Sequence, residues 1–165
     1  DVLSPSNPYS ASKAAAEMFI ISYHRTYDID FIITRSSNNY GPRQYPEKLI
    51  PKTLRCIETD KKIPLHGDGS YVRDWIYVKD NADAIMMIIE DGIKNEIFNI
   101  GANNHLTNIE VVSDLLHYFN KEKDQIQFIE NRWGQDLRYS LDTNKIKSFG
   151  WIPKHLRGIF KWWSI

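Results

Sequence analysis

Tyr9 and Lys13 stand four residues apart in Tyr9-Ser10-Ala11-Ser12-Lys13. On a helix, that spacing puts two side chains on one face. A lysine ammonium beside a phenol favours the phenolate. A phenol shifted in this way passes a proton to or from a substrate hydroxyl while hydride moves to a nicotinamide, and the lysine is placed to hold the cofactor ribose. Alone the pattern is weak: in a chain with nine tyrosines it arises easily by chance, and a solvated surface pair is the competing reading. Its surroundings strengthen it, because Ser10, Ala11, Ser12, Ala14 and Ala15 are small and let a ligand approach closely. A second set, Asn39, Arg73, Asn99 and Arg132, falls after strands or in loops, where binding residues gather. The competing reading for the arginines is ordinary ion pairing, Arg73 with Asp74 and Arg132 with Glu130.

These residues need elements to carry them. Asn7-Pro8 reads as an N-cap followed by proline at the first helical position, opening a helix to about Tyr27. Its apolar residues, among them Ala14, Ala15, Met18, Phe19, Ile21 and Tyr23, go nearly all the way round, which predicts burial on more than one side and a homodimer contact. Phe31-Ile32-Ile33 reads as a strand covered on both faces, followed by a loop holding Asn38, Asn39, Gly41 and Pro42. Residues 47–60 read as a helix, Pro64-Leu65-His66 and Trp75-Ile76-Tyr77 as short strands, and residues 79–91 as a helix. Residues 96–100 read as a strand ending at Gly101. Thr107 caps a helix to Phe119, with Glu110 at the capping-box position. Gln127-Phe128-Ile129 reads as a strand, Asp142 as the start of a short helix to Phe149, and the tail from about His155 as helical. Strands alternating with helices give an α/β architecture with parallel pairing.

Composition sets bounds. The 165 residues suffice for one domain with a core. Apolar residues make up 42% and charged residues 25%, as in soluble globular chains. Acidic and basic residues balance, so the electrostatics argue for neither nucleic acid nor a membrane surface as partner. No apolar run approaches the ~20 residues of a membrane span. The lone Cys56 makes neither an internal disulfide nor a cysteine-based metal site; it reads as apolar filler on a helix rather than a catalytic thiol, and no metal site is expected. Cytoplasmic residence fits this usage. The turn-rich opening Ser4-Pro5-Ser6-Asn7-Pro8 predicts that an N-terminal segment precedes this chain.

With these residues in view, the chain resembles the extended short-chain dehydrogenase/reductase family, and within it the dTDP-glucose 4,6-dehydratases, over essentially its whole length. The motifs, in order, are residues 6–14 (SNPYSASKA), 35–42 (RSSNNYGP), 44–51 (QYPEKLIP), 67–75 (GDGSYVRDW), 98–101 (FNIG) and 132–139. The resemblance implies the C-terminal part of an NAD-binding Rossmann fold interleaved with a smaller mixed α/β part that binds a nucleotide-diphosphate sugar, the Gly-rich half being absent. It implies that Tyr9 takes the 4-hydroxyl proton, that Lys13 binds ribose, and that Asn39 and Tyr40 lie beside the cofactor. Asn39, Glu47, Lys48, Leu49, Pro64, His66, Arg73, Asn99, Arg132 and Gln135 would then line the substrate site, with Arg73 and Arg132 on the diphosphate, where planar guanidinium forks suit phosphate oxygens. The implied reaction oxidises C4 transiently with NAD, expels water across C5 and C6, and reduces C6, a lyase reaction overall.

This sequence departs from the family pattern in several places. It holds no Gly-x-x-Gly-x-x-Gly loop and no Thr-Asp-Glu run, the family's acid and base for water removal. Trp133 and Gln135 stand where proline and histidine are usual, and His66 where a tyrosine stacks on the base, which leaves thymine against uracil open. The stretch from Pro153 to Gly158 is short, and Trp162-Trp163 reads as a cap on the core. Three rival readings remain. A nucleotide-sugar 4-epimerase or decarboxylase of the same family would share Tyr9 and Lys13, a noncatalytic nucleotide-sugar-binding module would keep the pocket without the chemistry, and a purely structural domain would bind nothing.

Overall fold

The computed structural model describes residues 4–156. The expected helical tail beyond Leu156, including Trp162 and Trp163, lies outside these residues.

The chain opens on α1 (Pro8–Tyr27), started by Asn7, whose side chain accepts from the Ser10 N–H while the Ser10 hydroxyl accepts from the Asn7 N–H. Pro8 sits in the first turn, where its missing N–H leaves no carbonyl unserved. There follow β1 (Ile32–Ser36), β2 (Asn38–Tyr40), α2 (Leu49–Glu58), β3 (Ile63–His66), β4 (Val72–Tyr77), α3 (Val78–Glu90), β5 (Glu96–Ile100), β6 (His105–Thr107), α4 (Asn108–Tyr118), β7 (Ile126–Ile129) and α5 (Asn144–Ser148). The capping box of α4 forms as the sequence predicts, with Glu110 reaching back to the Thr107 N–H.

Three small sheets result: β1–β5 parallel, β3–β7 parallel, and β2–β4–β6, in which β2 and β4 run parallel while β4 and β6 run antiparallel. The last pair is the exception to the expected parallel pairing. Two apolar clusters follow this division. One gathers Ile50, Ile57, Ile63, Leu65, Trp75 and the inner face of α4; the other gathers Ile76, Ala84, Ile88, Phe98, Ile100 and Ile146.

The expected burial of α1 is not found within the described chain. None of its residues is buried, and Met18, Phe19, Tyr23 and Tyr27 are exposed. Its apolar circumference is therefore not covered by the described residues. Asn38 and Asn39, read as loop, lie on a strand because β4 offers them a parallel edge, and α2 starts after Lys48, leaving Glu47 outside it. Among the described residues, no helix is long and apolar enough to cross a membrane.

Candidate active site

Two adjoining cavities, of about 670 and 620 Å³, open along the ends of β2, β3 and β4. A third, of about 410 Å³, lies against the first turns of α1. Tyr9 and Tyr139 line all three, so the three are compartments of one cleft that meet at these rings.

The helix start puts Tyr9 at the junction, 72% exposed. The Lys13 ammonium, one turn on, lies 5.8 Å from the Tyr9 ring centroid. The spacing that suggested a shared face thus brings the two groups together over the cleft. The segment 132–139 is clamped onto the same helix start. Ser6 Oγ donates to Asp136 Oδ1 at 3.0 Å, and Asn7 Nδ2 donates to the Gly134 carbonyl at 3.1 Å. Asp136 Oδ2 in turn accepts from the Tyr139 hydroxyl at 2.6 Å, a bond that holds the phenol proton and raises the Tyr139 pKa.

The largest compartment collects Glu47, Lys48, Leu49, Pro64, His66, Arg73, Arg132 and Gln135, all expected from the sequence. Arg73 is 7% exposed on the central strand β4. Short backbone bonds, Val72 N–H to Leu137 O and Tyr139 N–H to Val72 O, lay segment 137–139 beside it. The guanidinium then sits 4.6 Å from the Tyr139 ring centroid and 5.7 Å from that of Tyr71. Among the described residues, it donates one hydrogen bond, to the Val72 carbonyl, and burial lowers its pKa from the usual arginine range. A buried cation that stacks on rings and has no carboxylate partner suits an incoming anion.

Arg132 is placed by the β3–β7 register, which sets His66 opposite Ile129. Arg132 Nε donates to His66 Nε2 at 2.9 Å. Because Nε2 must accept, the ring proton sits on Nδ1, which donates to the Glu130 carbonyl at 2.7 Å. Neither arginine forms the ion pair weighed as its competing reading: among the described residues, no carboxylate lies within ion-pair distance of Arg73 or Arg132.

The second compartment takes in Asn38, Asn39, Tyr40, Gly41, Pro42 and Asp74. Asn39 Nδ2 donates to the Ser37 carbonyl at 3.1 Å, while its buried Oδ1 has no protein partner. Tyr40 is only 2% exposed and packs on Tyr77; burial pushes its phenol up to about 12. The close approach at this loop belongs to Gly41, at φ +147°, where a Cβ would meet Val78 Cγ1 at 2.6 Å. Among the described residues, the cleft wall contains buried polar atoms without a hydrogen-bond partner (Asn39 Oδ1, Asp74 Oδ2, Gln135 Oε1), the Lys13 ammonium without an ion-pair partner and a close backbone approach at Gly41. Such a wall fits the ribose hydroxyls and carboxamide of a nicotinamide nucleotide.

Asn99 departs from expectation. Strand alternation sends Phe98 and Ile100 into the core, and the Asn99 amide donates to the Asp142 carbonyl at 3.0 Å, so it lines none of the three compartments. Sequence reasoning missed Asp74, Asp136 and Tyr139 as lining residues. The last two lie inside the quoted 132–139 motif, which was the signal available for them.

The model of the NAD dependent epimerase/dehydratase family matches residues 1–101. The low-salt glycan biosynthesis protein Agl12 of Haloferax volcanii is 46% identical over 93% of this chain and 50% of its own length. A dTDP-glucose 4,6-dehydratase of Neisseria gonorrhoeae is 44% identical over 90% of this chain and 46% of its own. The crystal structure of dTDP-glucose 4,6-dehydratase from Bacillus anthracis in complex with NAD superposes with a TM-score of 0.91, at 43% identity, over 98% of this chain and 52% of that one. That of DesIV, a dTDP-glucose 4,6-dehydratase from Streptomyces venezuelae with NAD and TYD bound, gives 0.90 at 41% identity, over 93% and 48%. The chain spans about half the length of the curated relatives it matches.

Proposed function

The chain belongs to the NAD dependent epimerase/dehydratase family, and from that premise we propose that it forms the catalytic-helix and sugar-nucleotide half of a nucleotide-sugar 4,6-dehydratase, acting on dTDP-glucose. One observation carries the reading. A phenol–ammonium pair, Tyr9 and Lys13, opens onto the same continuous cleft as Arg73 and Arg132, two arginines with no carboxylate partner. A proton-transfer group at one end and anion receptors at the other match a substrate with a reactive hydroxyl and a diphosphate. The distribution of residues in the cleft supports the domain reading as well: α1, β1 and β5 complete a dinucleotide-binding part, and the elements around β3 and β7 hold the nucleotide.

In this reading Tyr9 takes the proton of the 4-hydroxyl, and Lys13 holds ribose beside it with Asn39 and the Tyr40-Gly41 backbone. NAD, held there by Lys13, Asn39 and the Tyr40-Gly41 backbone, would supply the hydride acceptor for C4 and the hydride donor for C6. Arg73 and Arg132 fix the diphosphate, so the sugar is presented to Tyr9 in one orientation and the step is effectively unimolecular. His66 lies flat against the nucleotide base while its Nε2 holds Arg132. Glu47, Lys48, Leu49, Pro64 and Gln135 frame the same pocket, and Asn99 donates to the Asp142 carbonyl. The acid and base for loss of water are not assigned to this chain. The exposed apolar face of α1 is the contact of a homodimer, and the enzyme works in the cytoplasm.

The test compares Tyr9→Phe with the parent, both as the full-length protein that carries this chain. The variant should bind NAD and dTDP-glucose with affinities within about threefold of the parent, yet lose about a hundredfold or more in turnover, the usual contribution of a general base. Turnover within tenfold of the parent would remove Tyr9 from the chemistry.

A further inference from the structure

Tyr9, Lys13 and Glu17 occupy successive turns of one face of α1. Lys13 and Glu17, at i and i+4, are therefore neighbours that attract. They do not pair. Arg35, on β1, takes both oxygens of Glu17: Nε lies 2.9 Å from Oε1 and 3.1 Å from Oε2, and Nη2 lies 2.5 Å from Oε2. The Glu17 side chain is 15% exposed, so the pair is held in partial burial. Among the described residues, the carboxylates lining the compartment along α1 are Glu17 and Asp136. Asp136 is likewise occupied, by the hydroxyls of Ser6 and Tyr139. The cations lining it besides Arg35, namely Lys13 and Arg138, have no ion-pair partner among the described residues.

We propose that Arg35 is a positioning residue: by binding both oxygens of Glu17, it keeps that carboxylate off Lys13 and leaves the ammonium turned toward Tyr9 and available to the cofactor. The inference rests on the reading of Lys13 as a cofactor-holding group. A bidentate arginine is suited to the task, because a lysine at position 35 would cover one oxygen and leave the other for Lys13.

The experiment measures NAD affinity by calorimetry on the full-length protein, in the parent and in Arg35→Gln, Glu17→Gln, the double variant and Lys13→Met. Arg35→Gln frees Glu17 to pair with Lys13 and should weaken NAD binding by up to about twofold, the size of an i,i+4 ion pair. The double variant has no carboxylate to release and should return to the parent value, as should Glu17→Gln alone. A merely structural role for the pair predicts the opposite: the double variant as weak as Arg35→Gln, or Glu17→Gln weakened by itself. Either result overturns the proposal, and Glu17→Gln keeps the test decisive should Arg35→Gln fail to fold. Unchanged affinity in Lys13→Met would instead overturn the cofactor role of Lys13, and the positioning role with it.

Discussion

Gly101→Ala is the substitution whose cost follows most directly from the geometry. A Cβ at this position would stand 2.4 Å from Asp74 Oδ2, far inside van der Waals contact. The backbone conformation is not the obstacle here, since Gly101 is not among the positive-φ residues; the obstacle is the carboxylate. Asp74 is fully buried, and its Oδ1 accepts the Asn104 N–H at 2.7 Å. Rotating the carboxylate away breaks that bond, at about 1.5 kcal/mol or more for a charged acceptor. Shifting the loop instead incurs about 1–3 kcal/mol of overpacking. The cheaper route sets the expected cost at about 1.5–2 kcal/mol, a sizeable part of a typical domain's ~5–15 kcal/mol and equivalent to a fall of roughly 3–8 °C in Tm. Thermal and urea unfolding of Gly101→Ala, Asp74→Ala and the double variant measure it. Truncating Asp74 removes the atom that clashes, so the double variant should be no less stable than Asp74→Ala alone. A loss under about 0.5 kcal/mol in Gly101→Ala, or simple additivity in the double variant, would refute the reasoning.

Tyr139→Leu removes the ring under Arg73 and should weaken nucleotide-sugar binding by about 1 kcal/mol, roughly fivefold; titration calorimetry reads it, and unchanged affinity would show that the ring does not hold the guanidinium. Gly41→Ala puts a methyl 2.6 Å from Val78 at φ +147° and should lower NAD affinity, with a drop in Tm as the loop shifts; binding at the parent level would show the close approach to be irrelevant. The Glu110 carboxyl is held below its usual range first by the Thr107 hydroxyl and then by the Thr107 N–H. A lowered folded pKa stabilises above the unfolded carboxyl's pKa and is lost as pH falls through the folded one. The stability gap between the parent and Glu110→Gln should therefore close on acidification, and a gap that widens toward acid would reverse the sign. Thr107→Ala should cost about 1 kcal/mol at neutral pH through loss of the cap, as urea unfolding would report; no change would show that Thr107 does not serve as a cap.

Helix starts were legible because capping is local. Asn7-Pro8 and Thr107 through Glu110 carry their instructions within four residues, and α1 and α4 begin where they indicate. β6 was not legible. His105-Leu106-Thr107 is too short to alternate, and it is a strand only because Val72–Asp74 present an edge far away in sequence. The Asn38–Tyr40 strand was hidden by its loop-like asparagines and glycine for the same reason. The apolar ring of α1 was visible, but a sequence does not say which surface covers it. In the site, Arg73, Arg132 and His66 were found by motif, and their placement in one compartment follows from the β3–β7 and β4 registers. What the chain could not announce were bonds such as Ser6 to Asp136, spanning 130 positions, which fasten the Tyr139 segment to the start of α1. Asn99 was marked by its place in the motif, and its amide donates to the Asp142 carbonyl outside the three compartments.

The central claim is that this cleft serves a dehydration of a nucleotide sugar begun by proton transfer to Tyr9. Incubating the full-length protein with NAD and dTDP-glucose or UDP-glucose, and weighing the product by mass spectrometry, tests it most directly. The product should be lighter than dTDP-glucose by one water, formed faster than from UDP-glucose and not formed appreciably by Tyr9→Phe. A product of unchanged mass with an inverted sugar centre would make the protein an epimerase, and the absence of product from either sugar would rule out the dehydration.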